Sequence, residues 1–258
     1  MIRRIALLGI ATVMALLAVT VSGAWADTFV GNIFLNPTNS TINTACGGGL
    51  CPGPYASVTI TTNGTDTANV VFQALATGGR QYLFIGKNEA VELVLSTTSL
   101  SVQNLSAVVN CAGCTGFKSP GTLTPNLGSV GGGGNGTYNF WVDFKNGGYD
   151  HAVSMVAFDL KLNSGTWGAA ASVINNTQNS QSWVNSITGQ TVTSISWAGA
   201  HIAVCGTAGD CNPGSAALAT AWAGGAVIAS IPEPGILALL GSSLILVGTV
   251  ARRFKKSL

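Results

Sequence analysis

The stretch Thr137–Phe144, TYNFWVDF, has the alternation of a half-buried β-strand. From Phe140 to Phe144 every second residue is apolar and would face a core, whereas Trp141 and Asp143 would face the opposite side. Aromatic and β-branched residues fill the stretch, and these residue types favour strands. The segment therefore predicts a strand with one buried face and one partly polar face.

Similar short runs recur along the chain, separated by Gly, Asn and Pro, and each is predicted to be a strand. They are Ala56–Thr62, Ala68–Ala74, Gln81–Ile85, Ala90–Ser96, Val153–Leu162, Ala170–Ile174, Thr191–Trp197 and Ala200–Val204. We interpret Gly131–Gly134 as a turn between strands and Pro120–Pro125 as an irregular approach to it. The pattern predicts one all-β domain over residues 27–230, an antiparallel β-sandwich or jelly roll.

Charge is scarce in this 258-residue chain: only 8% of the residues are Asp, Glu, Lys or Arg, where about 25% is usual in soluble domains. The region 27–231 holds five basic residues and eight acidic ones, a net charge of −3. Nucleic-acid binding requires clustered basic residues, so this class of partner is excluded.

The first 26 residues are predicted to be a secretory signal peptide. Arg3 and Arg4 supply the positive start, Ile5–Val21 is apolar, and Ala24-Trp25-Ala26 fits a small-x-small cleavage site. An uncleaved anchor is the alternative, which the cleavage site and the polar stretch after it disfavour. Export would place the body in an oxidising compartment.

The last 28 residues, 231–258, are predicted to be a second sorting unit. Pro232-Glu233-Pro234 interrupts regular structure. Gly235–Ala251 carries no charge over 17 residues, and a helix of that length reaches about 25 Å, at the short end of a membrane span. A plain tail anchor or a buried core helix is the alternative. A basic cluster then predicts a cytoplasmic end and disfavours the core helix: Arg252, Arg253, Lys255 and Lys256.

These three parts, in this order at the C-terminus, resemble the PEP-CTERM sorting signal of Gram-negative bacteria. The resemblance covers Ile231–Leu258, about a tenth of the chain, and departs from the family in mixing Lys with Arg. It implies that an exosortase in the inner membrane recognises the tail and cleaves near Pro-Glu-Pro. The product would reach the cell surface or the extracellular polymer matrix. The Gly-, Asn-, Ser- and Thr-rich body resembles other passenger domains of this family only in general character.

Six cysteines lie in three close pairs along the sequence. This clustering favours three local disulfides, Cys46–Cys51, Cys111–Cys114 and Cys205–Cys211. A redox site at Cys111-Ala112-Gly113-Cys114 is the alternative, but it needs a helix at the motif, and Thr115–Pro120 is a poor helix start. A zinc site is disfavoured because no second close C-x-x-C pair and no paired histidines accompany the motif.

Candidate catalytic groups are few, and we predict no catalytic residue and no cofactor. His151 and His201 lack an accompanying nucleophile motif and are interpreted as strand-end histidines bonded to backbone. Glu89 and Glu92, three residues apart on a strand, would face opposite sides, and the default for such carboxylates is a solvated surface. Asp143 and Asp159 could meet only if their strands were neighbours.

A weak calcium candidate is the oxygen-rich loop with Asp143, Asn146 and Asp150, which lacks EF-hand spacing and could equally be a Gly-Gly turn. Tryptophans could pack in the core or stack on sugar rings from an exposed face. In the body these are Trp141, Trp167, Trp183, Trp197 and Trp222. Five N-x-[ST] triplets indicate composition only.

The sequence predicts an exported, non-catalytic cell-surface or matrix protein that is anchored by its C-terminal helix until an exosortase processes it. Extracellular polysaccharide is its expected partner. The alternative is a secreted hydrolase or carbohydrate-binding module whose site the sequence does not reveal, since an enzyme needs titratable groups clustered in a cleft.

Overall fold

The computed structural model describes residues 26–37, 41–131, 137–175, 180–207, 211–214 and 217–231. Among these residues the chain forms fourteen β-strands and three short 3-10 helices, and no helix is long and apolar enough to cross a membrane. Thr28–Ile231 is one compact unit. The predicted signal peptide, apart from Ala26, and the predicted sorting unit, apart from Ile231, lie outside the described residues.

The strands are β1 (Asp27–Pro37), β2 (Ala56–Thr62), β3 (Thr67–Ala74), β4 (Ala76–Thr77), β5 (Arg80–Phe84), β6 (Val91–Leu93), β7 (Leu100–Val108), β8 (Leu123–Gly131), β9 (Thr137–Phe144), β10 (Met155–Leu162), β11 (Ser180–Asn185), β12 (Thr191–Ile195), β13 (Ala198–Thr207) and β14 (Ala219–Ile231). The 3-10 helices are Thr41–Cys46, Tyr149–His151 and Ala170–Val173.

The strands join in one sheet with the order β7-β10-β3-β2-β1-β14-β13-β6-β9-β8. Four further strands pair outside this order: β5 pairs with β13 and β4, and β11 pairs with β1 and β12. Every pairing whose register is described is antiparallel. The all-β prediction is therefore confirmed.

The sheet curls so that strands from its two ends face each other across the core. Phe140 of β9 and Phe158 of β10 lie on strands near opposite ends of the order, yet their ring centroids are 4.9 Å apart. Phe72 of β3 stacks on Phe158 and meets Phe84 of β5 edge-on. These aromatic side chains are fully buried, so burial of apolar surface holds the two halves together.

The predicted strand alternation is confirmed where it was clearest. Strands β2 and β9 have the predicted bounds, and in β9 the side chains of Phe140, Val142 and Phe144 are buried while those of Trp141 and Asp143 are partly exposed. Strand β3 begins one residue before its prediction, and β5 and β10 overlap theirs.

The strand prediction for Ala170–Ile174 is wrong, because most of that segment is a 3-10 helix. Ala170 and Val173, three residues apart, are both buried, which fits the three-residue period of this helix. The Ser172 hydroxyl donates to the Ala169 carbonyl and stabilises the turn. The predicted strand Ala90–Ser96 is shorter than expected, since only Val91–Leu93 pairs as β6.

Six strands had no counterpart in the sequence prediction: β1, β4, β7, β8, β11 and β14. The proline-containing stretch interpreted as irregular runs into β8, which is tolerated because β8 is an edge strand, where Pro125 need not donate a ladder hydrogen bond. Strand β14 is mostly Ala and Gly, so it lacks the β-branched signal. The glycine stretch interpreted as a turn begins at Gly131, the last residue of β8, and its remaining residues lie outside the described residues.

The three predicted disulfides are confirmed: Cys46–Cys51, Cys111–Cys114 and Cys205–Cys211. A parallel bridge between Cys114 and Cys211 brings the last two disulfides together. Around them Phe117 and Tyr149 pack edge-on, at 5.5 Å between ring centroids. This satellite cluster fixes the loops that precede β8 and β10.

Candidate functional site

Strands β14, β13, β6 and β9 carry an outer face on the side of the sheet away from the main core. Cross-strand pairing sets Gly224 opposite Gly199, Gly199 opposite Glu92, and Glu92 opposite Trp141. Directly paired residues share a face, and so do residues two apart on one strand. His201, Trp222 and Asp143 therefore belong to the same outer face.

Two facing glycines leave room on this face for a buried polar cluster, which we define as Glu92, Tyr138, Trp183 and Ser196. A Cβ on Gly199 would lie 2.5 Å from Glu92 Oε2 and 2.9 Å from the Tyr138 hydroxyl oxygen. A Cβ on Gly224 would lie 2.5 Å from Ser196 Oγ and 2.8 Å from Trp183 Cη2. Any larger residue at either position would displace the cluster.

Hydrogen bonding satisfies only part of this cluster. The Ser196 hydroxyl donates to the Ala198 carbonyl at 2.6 Å and lies 3.1 Å from the Tyr138 hydroxyl. Neither carboxyl oxygen of Glu92 has a hydrogen-bond partner among the described residues, and neither does the Trp183 indole N–H. Sequence reasoning placed Glu92 on a solvated surface, and that prediction is wrong, because the residue is 0% exposed.

Burial governs the electrostatics of Glu92. Loss of hydration, with a smaller contribution from the Glu89 charge, raises its pKa to about 9. The side chain is therefore a neutral carboxylic acid at neutral pH. Burial, followed by the nearby Glu92, also raises the pKa of the Tyr138 phenol, so both groups keep their protons.

On β13 and β14, His201 and Trp222 form a stacked pair. Their ring centroids are 4.9 Å apart and their planes differ by 14°. Burial lowers the pKa of His201, so the imidazole is neutral at neutral pH. Both side chains are partly exposed, and the two residues pair in the middle of the β13–β14 ladder.

An open cleft of about 400 Å³ lies where β9 ends. Its polar lining comes from the segment before β6, the start of β8 and the end of β9: Lys87, Asn88, Thr122, Thr124, Asp143 and Lys145. Trp141, partly exposed, is two residues before Asp143 on the same face of β9. The cleft thus combines ammonium, amide and hydroxyl groups, and Trp141 lies next along the same face of β9.

Close backbone packing fixes the walls of this cleft. The Lys145 N–H donates to the Thr122 carbonyl at 2.9 Å. Gly147 packs so tightly on Lys87 that a Cβ there would lie 2.7 Å from Lys87 Cβ. Gly121, with φ of +78°, leaves space for the Asn146 amide, which a Cβ would approach to 2.8 Å. The three segments that line the cleft, around Lys87, Thr122 and Lys145, are therefore held against one another.

The carboxylate of Asp143 is turned into the protein by two donors. The Glu89 backbone N–H donates to one oxygen at 2.7 Å, and the Asn126 side-chain amide donates to the other at 2.9 Å. Partial burial and the Asp143 charge together raise the pKa of Glu89. Glu89 has φ of +56°, a left-handed conformation that places its N–H against Asp143.

The other predicted site residues have separate partners. Of the calcium candidates, Asp150 pairs with Lys118 at 3.0 Å, so its carboxylate is engaged apart from that of Asp143. Among the described residues no group of three or more His, Cys, Asp or Glu could hold a metal ion. Asp159 accepts from Asn69 and Asn104 on neighbouring strands, not from the surroundings of Asp143.

The histidines and tryptophans divide between structural and accessible positions. His151 Nδ1 bonds to the Ser119 carbonyl oxygen, as its interpretation as a backbone-bonded histidine anticipated. Three tryptophans are buried: Trp167, Trp183 and Trp197. Trp141 and Trp222 are partly exposed, both on the outer face. The sorting residues Pro232, Glu233, Pro234, Arg252, Arg253, Lys255 and Lys256 lie outside the described residues.

Sequence reasoning missed the cleft lysines, because Lys87 and Lys145 stand alone in their local sequence and meet only through the pairing of β6 with β9. The one usable signal was their position flanking the predicted strands. Comparison with known proteins adds nothing to this geometry: no family model, no curated protein and no solved structure matches the chain.

The raised pKa of Glu92 predicts a specific pH dependence of stability. The folded state holds a proton that the unfolded chain releases near its ordinary value of 4.5. The free energy of unfolding should therefore fall as pH rises from about 4.5 towards about 9, on the order of 1 kcal/mol per pH unit. Urea unfolding at several pH values measures this slope.

Glu92→Gln is the matched variant, because it keeps the size of the side chain and removes the proton. Its unfolding free energy should vary less with pH, and it should exceed the wild-type value at alkaline pH. All other carboxylates remain, so the difference between the two profiles isolates Glu92. Parallel profiles for the two proteins would show that Glu92 ionises normally.

Proposed function

We propose that this chain is an exported, non-catalytic cell-surface or matrix protein that binds extracellular polysaccharide through the cleft. The observation that carries the proposal is the cleft itself, which is lined by hydroxyl, amide and ammonium groups, with Trp141 two residues from Asp143 on the same face of β9. Sugars present a dense set of hydroxyls and flat apolar ring faces. Polar donors next to an accessible aromatic ring therefore suit them.

The proposed location rests on the ends of the chain and on the disulfides. The N-terminal sequence resembles a signal peptide, and the C-terminal sequence resembles a PEP-CTERM signal. Three disulfides fit an oxidising compartment outside the cytoplasm. In this proposal an exosortase releases the body from its C-terminal membrane helix.

The finer architecture that we propose is a sandwich of the jelly-roll kind. The contact between Phe140 and Phe158 supports it, because it joins strands from opposite ends of the sheet order. A sandwich would leave the outer face of β9 and the cleft at its end free for a ligand, with the aromatic core on the other side of the sheet.

A secreted hydrolase is the second candidate, and one observation favours it. Glu89 and Asp143 lie close at the edge of the cleft, and the pKa of Glu89 is raised. Paired carboxyl groups, one with a raised pKa, are the groups that cleave glycosidic bonds. Release of reducing ends from a bound polysaccharide would favour this candidate over the binding protein.

Replacing Trp141 with Ala should weaken polysaccharide binding. Loss of stacking on a sugar ring predicts about 3- to 10-fold lower affinity, measured by affinity electrophoresis in gels that contain matrix polysaccharide from the producing cells. Trp222→Ala is the matched control, since Trp222 is equally on the outer face but lies on β14, three strands from β9 in the sheet order, where it stacks on His201. Equal weakening by both variants, or no effect of Trp141→Ala, would refute the proposed binding site.

Replacing Pro232, Glu233 and Pro234 with alanines should leave a full-length, membrane-bound protein in cells that contain an exosortase. The prolines keep this segment extended and accessible to a processing enzyme. Mass spectrometry of the mature C-terminus measures the outcome. If the unaltered protein retains Leu258 in such cells, the processing proposal fails.

A further inference from the structure

Three of the five basic residues in the body have no ion pair within the part of the chain that the structure describes: Arg80, Lys87 and Lys145. Lys118 pairs with Asp150 at 3.0 Å and Lys161 pairs with Asp66 at 3.6 Å. Lys87 and Lys145 both line the cleft, together with the carboxylate of Asp143. The cleft therefore gathers two ammonium groups without ion pairs on a body whose net charge is −3.

The carboxylate of Asp143, which also lines the cleft, already has hydrogen-bond partners within the protein. Asp143 accepts one hydrogen bond on each oxygen, from the Glu89 N–H and the Asn126 amide. Both donors are neutral groups, so the charge of Asp143 remains, but its two oxygens face these donors. Lys87 and Lys145 are therefore the charged groups of the cleft lining that have no hydrogen-bond or ion-pair partner among the described residues.

The lysines are also held at fixed separation by the backbone. Gly147 packs directly on the backbone and Cβ of Lys87, so the turn that follows Lys145 cannot move away from the segment that carries Lys87. Between them Thr122 and Thr124 present hydroxyl groups. Two cations bridged by neutral hydroxyls match a ligand that carries spaced negative charges among many hydroxyls.

We propose that the cleft selects anionic polysaccharide, with Lys87 and Lys145 binding the carboxylates of uronic acid residues. This inference rests on the proposed function, and it adds the chemical class of the ligand. Nucleic acid is disfavoured as the anion, because its dense phosphates would meet the net negative body with only two cations to bind them. A chain with one carboxylate per sugar places less charge against the rest of the surface.

Polygalacturonate and its methyl ester are the probes, since the two polymers share a backbone and differ in charge. The full mature protein should bind polygalacturonate more tightly than the neutral ester, and added salt should reduce this preference. Affinity electrophoresis with each polymer measures both constants. Equal affinity for the two polymers would overturn the inference, and so would tighter binding to single-stranded DNA.

The paired variant Lys87→Gln/Lys145→Gln should bind polygalacturonate about 5- to 10-fold more weakly and the ester almost unchanged. Lys118→Gln/Lys161→Gln is the matched control, because it removes the same two charges from exposed positions elsewhere. An equal loss of affinity for polygalacturonate in both variants would show a general effect of charge and would refute the cleft as the binding site. Equal binding of the methyl ester and polygalacturonate would leave the proposed polysaccharide-binding function standing but would reject selection for anionic chains. Binding of neither polymer would reject both the proposed function and this inference.

Discussion

The alternation of side chains along β13 is the constraint on which the other features depend. This strand pairs with β14 on one edge and with β5 and β6 on the other. Ala198 and Ala200 point into the core, whereas Gly199 and His201 point to the outer face. A shift of one residue would exchange the two faces, placing His201 in the core and alanines under the buried polar cluster.

The outer face combines two environments because of this register. Near β13 the absence of side chains at Gly199 and Gly224 allows Glu92 to be buried without a partner, which raises its pKa to about 9. Farther along, β6 pairs with β9, and Asp143 at the end of β9 and Lys145 just after it line the cleft. The pairings of β13, β6 and β9 therefore place two environments on one face of the sheet. One is the buried, neutral side chain of Glu92, and the other is the open cleft lined by Asp143 and Lys145.

The sequence predicted what local patterns encode. Alternation in β2 and β9 identified those strands and the polar side of Trp141 and Asp143, and close spacing identified the three disulfides. Strand β14 was missed because Ala and Gly carry no strand preference, and their role depends on what they face. Glu92 and the lysine pair were missed because burial and proximity arise from tertiary pairing, which a charge pattern along the chain does not contain.

The account's central claim is that ligand binds at the end of β9, between Lys87 and Lys145. Backbone and indole NMR signals recorded during titration with a galacturonate oligosaccharide test this claim most directly. The account predicts shifts confined to the cleft segments and the Trp141 indole, with the Trp222 indole unchanged. Shifts centred on Trp222 and His201, or on the cluster around Cys111–Cys114 and Cys205–Cys211, would contradict it.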